Sequence, residues 1–95
     1  MIIASTQIQP ADQATKAFRY VLRFTGNNNA PYVVHTETLT DDGAHEAFHC
    51  GSYCENMLEA YESLKTRAAR QSLRVLDSNG KLIPKVIDGV PQYKM

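Results

Sequence analysis

The fold is decided by residues 32–67, which read YVVHTETLTDDGAHEAFHCGSYCENMLEAYESLKTR. Polar and apolar residues alternate from Tyr32 to Thr40 and again from Ala44 to Cys50, which is typical of half-buried strands. The connection between them is Asp41-Asp42-Gly43, whose glycine suits the left-handed position of a bulged hairpin. The stretch therefore predicts two antiparallel strands.

A helix is predicted directly after this hairpin. Ser52 is a good N-cap residue, and Glu55 three positions later completes a capping-box pattern, so the helix should begin near Tyr53 and end near Gln71. Apolar residues recur at steps of three and four and form one stripe, which should pack on the sheet. The stripe consists of Cys54, Met57, Leu58, Tyr61, Leu64 and Ala68.

The flanking segments complete an α+β domain. Alternation predicts a further strand from Ala17 to Thr25, and Leu73–Asp77 and Lys81–Ile83 form a strand pair around the Asn79-Gly80 turn signal. The expected architecture is an antiparallel β-sheet in β-β-β-α-β-β order, with one amphipathic helix packed on one face. We expect a single domain over 1–95, in which 1–15 is an extended lead-in, 16–83 the core, and 84–95 an edge segment or tail.

The hairpin also predicts a register. If Thr40 faces Ala44, then His35 lies opposite His49 and Thr36 lies opposite Phe48. Phe48 then joins the core face of the sheet. The predicted core consists of Phe18, Tyr20, Leu22, Phe24, Val34, Phe48, Leu58, Tyr61 and Leu64.

Composition narrows the classes of function. Ten lysines and arginines balance ten acidic residues, so the chain carries no global field that would hold nucleic acid or an anionic membrane. No apolar run approaches the roughly 18 residues needed to cross a bilayer, and the first residues lack the basic flank of a signal peptide. Cys50 and Cys54 do not form the framework of a small secreted domain. We therefore expect a cytoplasmic protein.

Imidazole and thiol groups are the ligands that zinc prefers, and His35, His45, His49, Cys50 and Cys54 are concentrated in one region. However, strand alternation directs His49 and Cys50 to opposite faces, so we expect no metal and no cofactor. A thiol in the first turn of a helix can be a nucleophile, but Cys54 falls on the apolar stripe and lacks an evident orienting base. We predict no catalytic residue and no enzymatic activity.

The outer face of the predicted sheet is a candidate binding surface. Its expected residues are Arg19, Arg23, His35, Glu37, His45 and His49. Among them, Arg19, Arg23, His35 and His49 are the predicted partner-binding residues, because arginine suits both carboxylates and phosphates. Two alternatives stay open: this face is an ordinary solvated sheet face, or association uses a sheet edge, the loop 27–29 or the tail.

One family resemblance follows from Phe48-His49-Cys50-Gly51-Ser52-Tyr53, the capped helix after it, and the Leu73 to Ile83 hairpin. Over residues 17–83 the chain resembles small proteins of bacteriophages and mobile elements, including anti-CRISPR inhibitors. That resemblance implies a non-enzymatic inhibitor, in the host cytoplasm if phage-encoded, that masks a binding surface of a bacterial nucleoprotein defence complex. The alternative is a direct nucleic-acid-binding regulator, and the second alternative is a zinc- or thiol-dependent enzyme. The oligomeric state is left open.

Overall fold

The computed structural model describes residues 1–94, which form seven strands and one helix. The strands are β1 (Ile2–Thr6), β2 (Phe18–Phe24), β3 (Tyr32–Leu39), β4 (His45–Cys54), β5 (Val75–Asp77), β6 (Lys85–Ile87) and β7 (Val90–Gln92), and the helix is α1 (Met57–Arg70). The main sheet is antiparallel with the order β4-β3-β2-β1-β5, while β6 and β7 form a separate hairpin. The α+β class is confirmed, but the element order contains additional strands.

Residues 1–15 are not simply a lead-in, because β1 lies in the sheet between β2 and β5. Ala4 is fully buried in the core, and the polar residues Ser5 and Thr6 are also buried. The hydroxyl of Thr6 donates to the carbonyl of Gln7 at 2.8 Å and accepts the backbone N–H of Tyr20 at 3.0 Å. These hydrogen bonds let polar residues occupy an interior strand, since buried polar groups need partners.

Helix α1 begins later than the capping pattern predicts, because β4 continues through Cys54. The N-cap is Asn56, whose side-chain oxygen accepts the backbone N–H of Glu59 at 2.9 Å. Ser52, the predicted cap, instead accepts a hydrogen bond from Arg67 at 2.6 Å. The predicted end of the helix at Gln71 is confirmed. Within residues 1–94, the helix lacks the length and apolar character needed to cross a membrane.

The core between sheet and helix confirms part of the predicted set. Leu22, Val34, Tyr61 and Leu64 are buried there together, and Tyr20 packs against them. Cys54 and Ala68 of the predicted apolar stripe are also buried in the cluster, and residues that were not predicted complete it: Ala4, Ala60, Val75 and Ile83. Four predicted members lie outside this cluster, since Phe24 and Leu58 are exposed, Phe48 is on the opposite face of the sheet, and Phe18 is only partly buried.

The segment after Ile83 forms a hairpin that folds against the helix. Asp88 and Gly89 both have positive φ, 52° and 79°, as a type I′ turn requires. A Cβ atom on Gly89 would lie 2.8 Å from the backbone nitrogen of Leu58, so the turn lies directly against the start of α1. Met95, the last residue of the predicted tail, lies outside the described residues.

The predicted Asn79-Gly80 turn is present just before this hairpin. The backbone N–H of Gly80 donates to Asp77 at 3.0 Å, and the carboxylate of Asp77 accepts the N–H groups of Asn79 and Lys81. The strand before the turn is confirmed as β5, whereas the predicted strand after it is reduced to a single bridge between Leu76 and Leu82.

Candidate functional site

The outer face of the sheet, which is the face turned away from α1, is set by irregular pairing between β3 and β4. The register shifts by one residue between Thr38 and Leu39, close to the hairpin turn. Phe48 consequently lies opposite Glu37, so its predicted position opposite Thr36 is wrong. Because neighbouring strand residues point to opposite faces, this shift moves the Phe48 ring out of the core and onto the outer face.

The two histidines that the sequence pairs are separated by the same shift. His49 lies opposite Thr36 on the helix side of the sheet, and its Nε2 atom is 3.2 Å from the hydroxyl oxygen of Thr38. His35 points to the outer face, since its partner across β2 is Val21 and not a residue of the helix-side core. The predicted pairing of His35 with His49 is therefore wrong.

A second irregularity in β4, at Cys50, brings Tyr53 to the outer face. Cys50 has a φ of 54°, which is uncommon for a residue other than glycine, and its carbonyl accepts a hydrogen bond from Arg67 of α1 at 2.7 Å. A Cβ atom on the next residue, Gly51, would lie 3.2 Å from the His35 ring, so glycine allows this close approach. Tyr53 then lies opposite Val33 with 67% of its surface exposed.

Phe48 is the centre of a cluster of aromatic and cationic side chains. The His35 ring stacks on it with centroids 4.7 Å apart, and the His45 ring lies 4.5 Å away. The guanidinium carbon of Arg23 lies 4.6 Å from the Phe48 centroid, within the range of a cation–π contact. Burial, followed by the positive charges of Arg23 and Arg67, lowers the pKa of His35, which favours the neutral ring.

Glu37 forms a second cluster on the same face. It is only 3% exposed, and its two carboxylate oxygens accept from Arg19 Nε at 2.5 Å and contact His45 Nδ1 at 2.8 Å. Burial acts to raise the pKa of Glu37, but the hydrogen bonds from Arg19 and His45 outweigh it and lower the pKa. Glu37 is therefore a charged, paired group, and it neutralises the positive charge of Arg19.

The predicted partner-binding residues thus have different environments. Arg19 is paired with Glu37, Arg23 and His35 contact Phe48, and His49 is on the helix side of the sheet. The outer face is less basic than the sequence predicts, because Arg19 is neutralised and burial favours neutral His35. It is also more aromatic, because it carries Phe48 and Tyr53.

Neither aromatic residue was predicted to lie on this face, since strict alternation places Phe48 in the core and the capping pattern places Tyr53 in the helix. The one sequence signal was Gly51, because an isolated glycine inside a strand pattern often marks a bulge. Two bulges in one strand cannot be located from apolar periodicity, because the first reverses which side chains of β4 face the helix and the second restores the original alternation.

The cysteines occupy different environments. Cys54 ends β4 and is buried, so it is not in the first turn of the helix, and burial followed by the charge of Glu59 raises the pKa of its thiol. This environment favours the protonated thiol and opposes nucleophilic reactivity. Cys50 is exposed. Over residues 1–94, no three or more histidine, cysteine or acidic side chains are grouped so that they could hold a metal ion.

The outer face therefore combines one exposed aromatic ring, one partly buried aromatic ring and an arginine on a hydrogen-bonded sheet, an arrangement suited to binding by contact. Comparison of the chain with known proteins finds no matching protein family, no matching curated protein and no matching solved structure.

Proposed function

We propose that this protein acts by binding, as a small inhibitor that covers a surface of a bacterial nucleoprotein defence complex in the manner of an anti-CRISPR protein. The observation that carries the proposal is Tyr53, which is 67% exposed and lies on the same outer face as Arg23 and Phe48. Tyrosine and arginine are the residue types that most often dominate the energetics of protein interfaces. The proposed location is the cytoplasm, which is the host cytoplasm if a phage encodes the protein.

The arrangement of these side chains supports a preformed interface. Arg23 and Tyr53 both lie opposite buried Val33, one on each neighbouring strand, so they form a row across β2, β3 and β4. The guanidinium of Arg23 is held over Phe48, and its Nη1 atom lies 3.4 Å from His35 Nε2. Side chains that are already ordered lose less conformational entropy on binding, which favours affinity.

The charge of the outer face indicates the chemistry of the partner. Arg23 is the arginine of this face that has no carboxylate partner among residues 1–94, since Arg19 is paired with Glu37. The face fits a patch that offers apolar surface for Tyr53 and one acidic or phosphate group for Arg23. Both kinds of group occur where a protein surface adjoins bound nucleic acid.

Direct nucleic-acid binding is the second candidate function, and one observation favours it specifically. Tyr53 supplies an exposed aromatic ring on the outer face of a sheet that also carries Arg23, and single-stranded nucleic acids stack their bases on such rings. With Phe48 in the core, as strict alternation predicts, this face would lack the aromatic groups that stack with bases, so the β4 bulges strengthen this alternative.

The proposed function is tested in a bacterium whose active CRISPR system blocks a targeted phage. Expression of the protein should restore plaque formation, and Tyr53→Ala should abolish the restoration. Tyr93→Ala is the matched control, because Tyr93 is also an exposed tyrosine but contacts Asp77 and Lys81 and not the outer face. No restoration by the wild-type protein against any CRISPR type would contradict the proposal.

The alternative is tested separately with fluorescein-labelled single-stranded oligonucleotides. Fluorescence anisotropy should show binding that weakens with salt and is lost in Tyr53→Ala, if the outer face binds nucleic acid directly. No change in anisotropy, together with restored plaque formation, would favour a protein surface as the partner.

A further inference from the structure

The C-terminal end of α1 borders a cavity of about 410 Å³ that lies away from the outer sheet face. Apolar side chains of α1, the turn after it, β5, the segment before β6 and β6 itself line the cavity: Ala68, Leu73, Val75, Ile83 and Val86. Its volume falls within the range of about 300 to 1,000 Å³ that is typical of small-molecule sites.

Local backbone structure shapes the walls of this cavity. The helix ends at Arg70, and Ser72, with a φ of 56°, turns the chain away from the helix axis. The backbone N–H of Leu73 donates to the carbonyl of Ala68 at 2.9 Å, so the turn that closes the helix is hydrogen-bonded. Pro84 in the opposite wall has no N–H group. The walls thus expose mainly carbon to the cavity.

Three cations border the cavity, and none of its lining residues is acidic. Lys65, Arg74 and Lys85 are exposed, and none of them forms an ion pair within residues 1–94. The backbone N–H and carbonyl of Arg74 are both bonded to Gln7, at 3.0 and 2.9 Å. That pairing fixes the main chain of Arg74 while its guanidinium stays available to a ligand.

We propose that this cavity binds a small amphipathic anion, a carboxylate or phosphate ester carrying a short aliphatic or aromatic body. The apolar body lies against Val75, Ile83 and Val86, and the anionic group meets the cations at the rim. Charge complementarity selects this occupant, because a neutral apolar ligand would leave three cations without a partner and a cationic ligand would be repelled. The site is separate from the outer sheet face of the proposed function.

Octanoate is the probe, and two-dimensional carbon–proton NMR of the methyl groups is the measurement. We expect saturable shifts of the methyl signals of Val75, Ile83 and Val86, and no shift of Val33 on the outer face. Octan-1-ol, which lacks the charge, should bind at least about tenfold more weakly. Absence of saturable shifts with octanoate, or equal binding of octanol, would overturn the proposal.

Separate substitutions test the contribution of the cations at the rim and that of the apolar cavity to octanoate binding. Arg74→Glu combined with Lys85→Glu should weaken octanoate binding by about tenfold or more, since two attractions become repulsions. Ala69→Leu should abolish binding by filling the cavity, because Ala69 is exposed at its wall. Arg70→Glu is the matched control and should bind normally, because Arg70 does not line this cavity.

The melting temperature of each variant is measured first, so that lost binding is not confused with lost folding. Equal octanoate binding by the rim double variant and the wild type would overturn the anionic specificity. Binding of an acidic peptide in the absence of octanoate binding would also overturn it, since the cavity would then be a protein-docking groove.

Discussion

Nδ1 of His45 lies 2.8 Å from Oε2 of Glu37, and this contact joins the two clusters of the outer face. The other oxygen of Glu37 accepts from Arg19, while the ring of His45 lies 4.5 Å from Phe48. Because both side chains that contact Glu37 also lie on the outer face, its carboxylate holds polar groups of β2 and β4 against β3. The network thereby ties β2, β3 and β4 together at the end of the outer face where Phe48 lies.

Glu37→Gln should lower the free energy of unfolding by about 1–3 kcal/mol at pH 7, because a buried charged acceptor is lost. The lowered pKa of Glu37 means that its stabilisation is complete above the ordinary value of 4.5 and is lost as pH falls through the folded-state pKa. The difference between variant and wild type should therefore shrink below pH 4.5. Urea unfolding at several pH values measures this difference in the free energy of unfolding.

Glu46→Gln is the control for this prediction, because Glu46 forms an ion pair with Lys16 in which both side chains are more exposed than that of Glu37. It should leave the free energy of unfolding nearly unchanged. Equal losses in the free energy of unfolding for the two substitutions would show that the burial of Glu37 does not increase its contribution to stability.

His35 should titrate below its ordinary pKa of 6.5, and Arg23→Gln should raise that pKa towards 6.5. As the pH falls, His35 takes up its proton at a higher pH in the unfolded chain than in the folded chain. Protonation of His35 therefore lowers the free energy of unfolding as the pH drops below 6.5. Proton NMR of the imidazole signals follows the titration directly. Arg70→Gln, a change at an exposed residue on the helix, should leave the pKa of His35 unaltered, and an unchanged pKa in Arg23→Gln would contradict the cluster around Phe48.

Leu64→Ala should lower the free energy of unfolding much more than Leu58→Ala, although both residues are helix leucines on the predicted apolar stripe. Leu64 is fully buried, so its truncation should cost about 2–5 kcal/mol through lost burial and the cavity left behind. Leu58 is 44% exposed, and its truncation should cost less than about 1.5 kcal/mol. Thermal or chemical unfolding compares them, and equal destabilisation would contradict the orientation of α1.

Gly89→Ala tests whether the C-terminal hairpin lies against the helix. Its φ of 79° disfavours alanine, and the added Cβ would lie 2.8 Å from the backbone of Leu58. Gly43→Ala carries a similar backbone cost at φ 85°, but its Cβ would meet nothing within 4 Å. Gly89→Ala should therefore be the more destabilising change, by at least about 1 kcal/mol. Similar unfolding midpoints for the two variants would place the hairpin away from Leu58.

The elements that follow one regular period could be predicted from the sequence. Strand β2, the beginning of the β3–β4 hairpin and the buried stripe through Tyr61 and Leu64 are present where alternation and helical spacing indicate. The extension of strand β1 through Ser5 and Thr6 could not be recognised, because both residues are polar and their burial depends on hydrogen bonds to distant residues. The final hairpin had a local signal, Asp88-Gly89, that is typical of type I′ turns.

The candidate site was harder to predict than the fold because it depends on register. Arg19 and Arg23 follow from alternation in β2, and the structure places both on the outer face. Phe48 reaches that face only through the irregularity near Glu46, and the one at Cys50 restores the alternation that places Tyr53 there. The irregularity at Cys50 is held by a hydrogen bond from Arg67, seventeen residues away in sequence. Such a long-range contact cannot be predicted from the alternation of polar and apolar residues in β4.

Arg19 is a poor choice for testing the proposed binding face, although the sequence predicts the same role for it as for Arg23. Its reversal to glutamate would place a second carboxylate beside buried Glu37, and like charges at that distance destabilise the fold. Tyr53 is the better choice, because its exposed side chain can be removed with little loss of buried surface.

The central claim, binding of a protein surface through the outer sheet face, is tested most directly by affinity capture from nuclease-treated lysate of a bacterium that expresses a CRISPR effector complex. The wild-type protein and Tyr93→Ala should retain subunits of that complex, whereas Tyr53→Ala, with an unchanged melting temperature, should not. Retention of the same subunits by Tyr53→Ala, or their loss from the wild-type protein after nuclease treatment, would contradict the account.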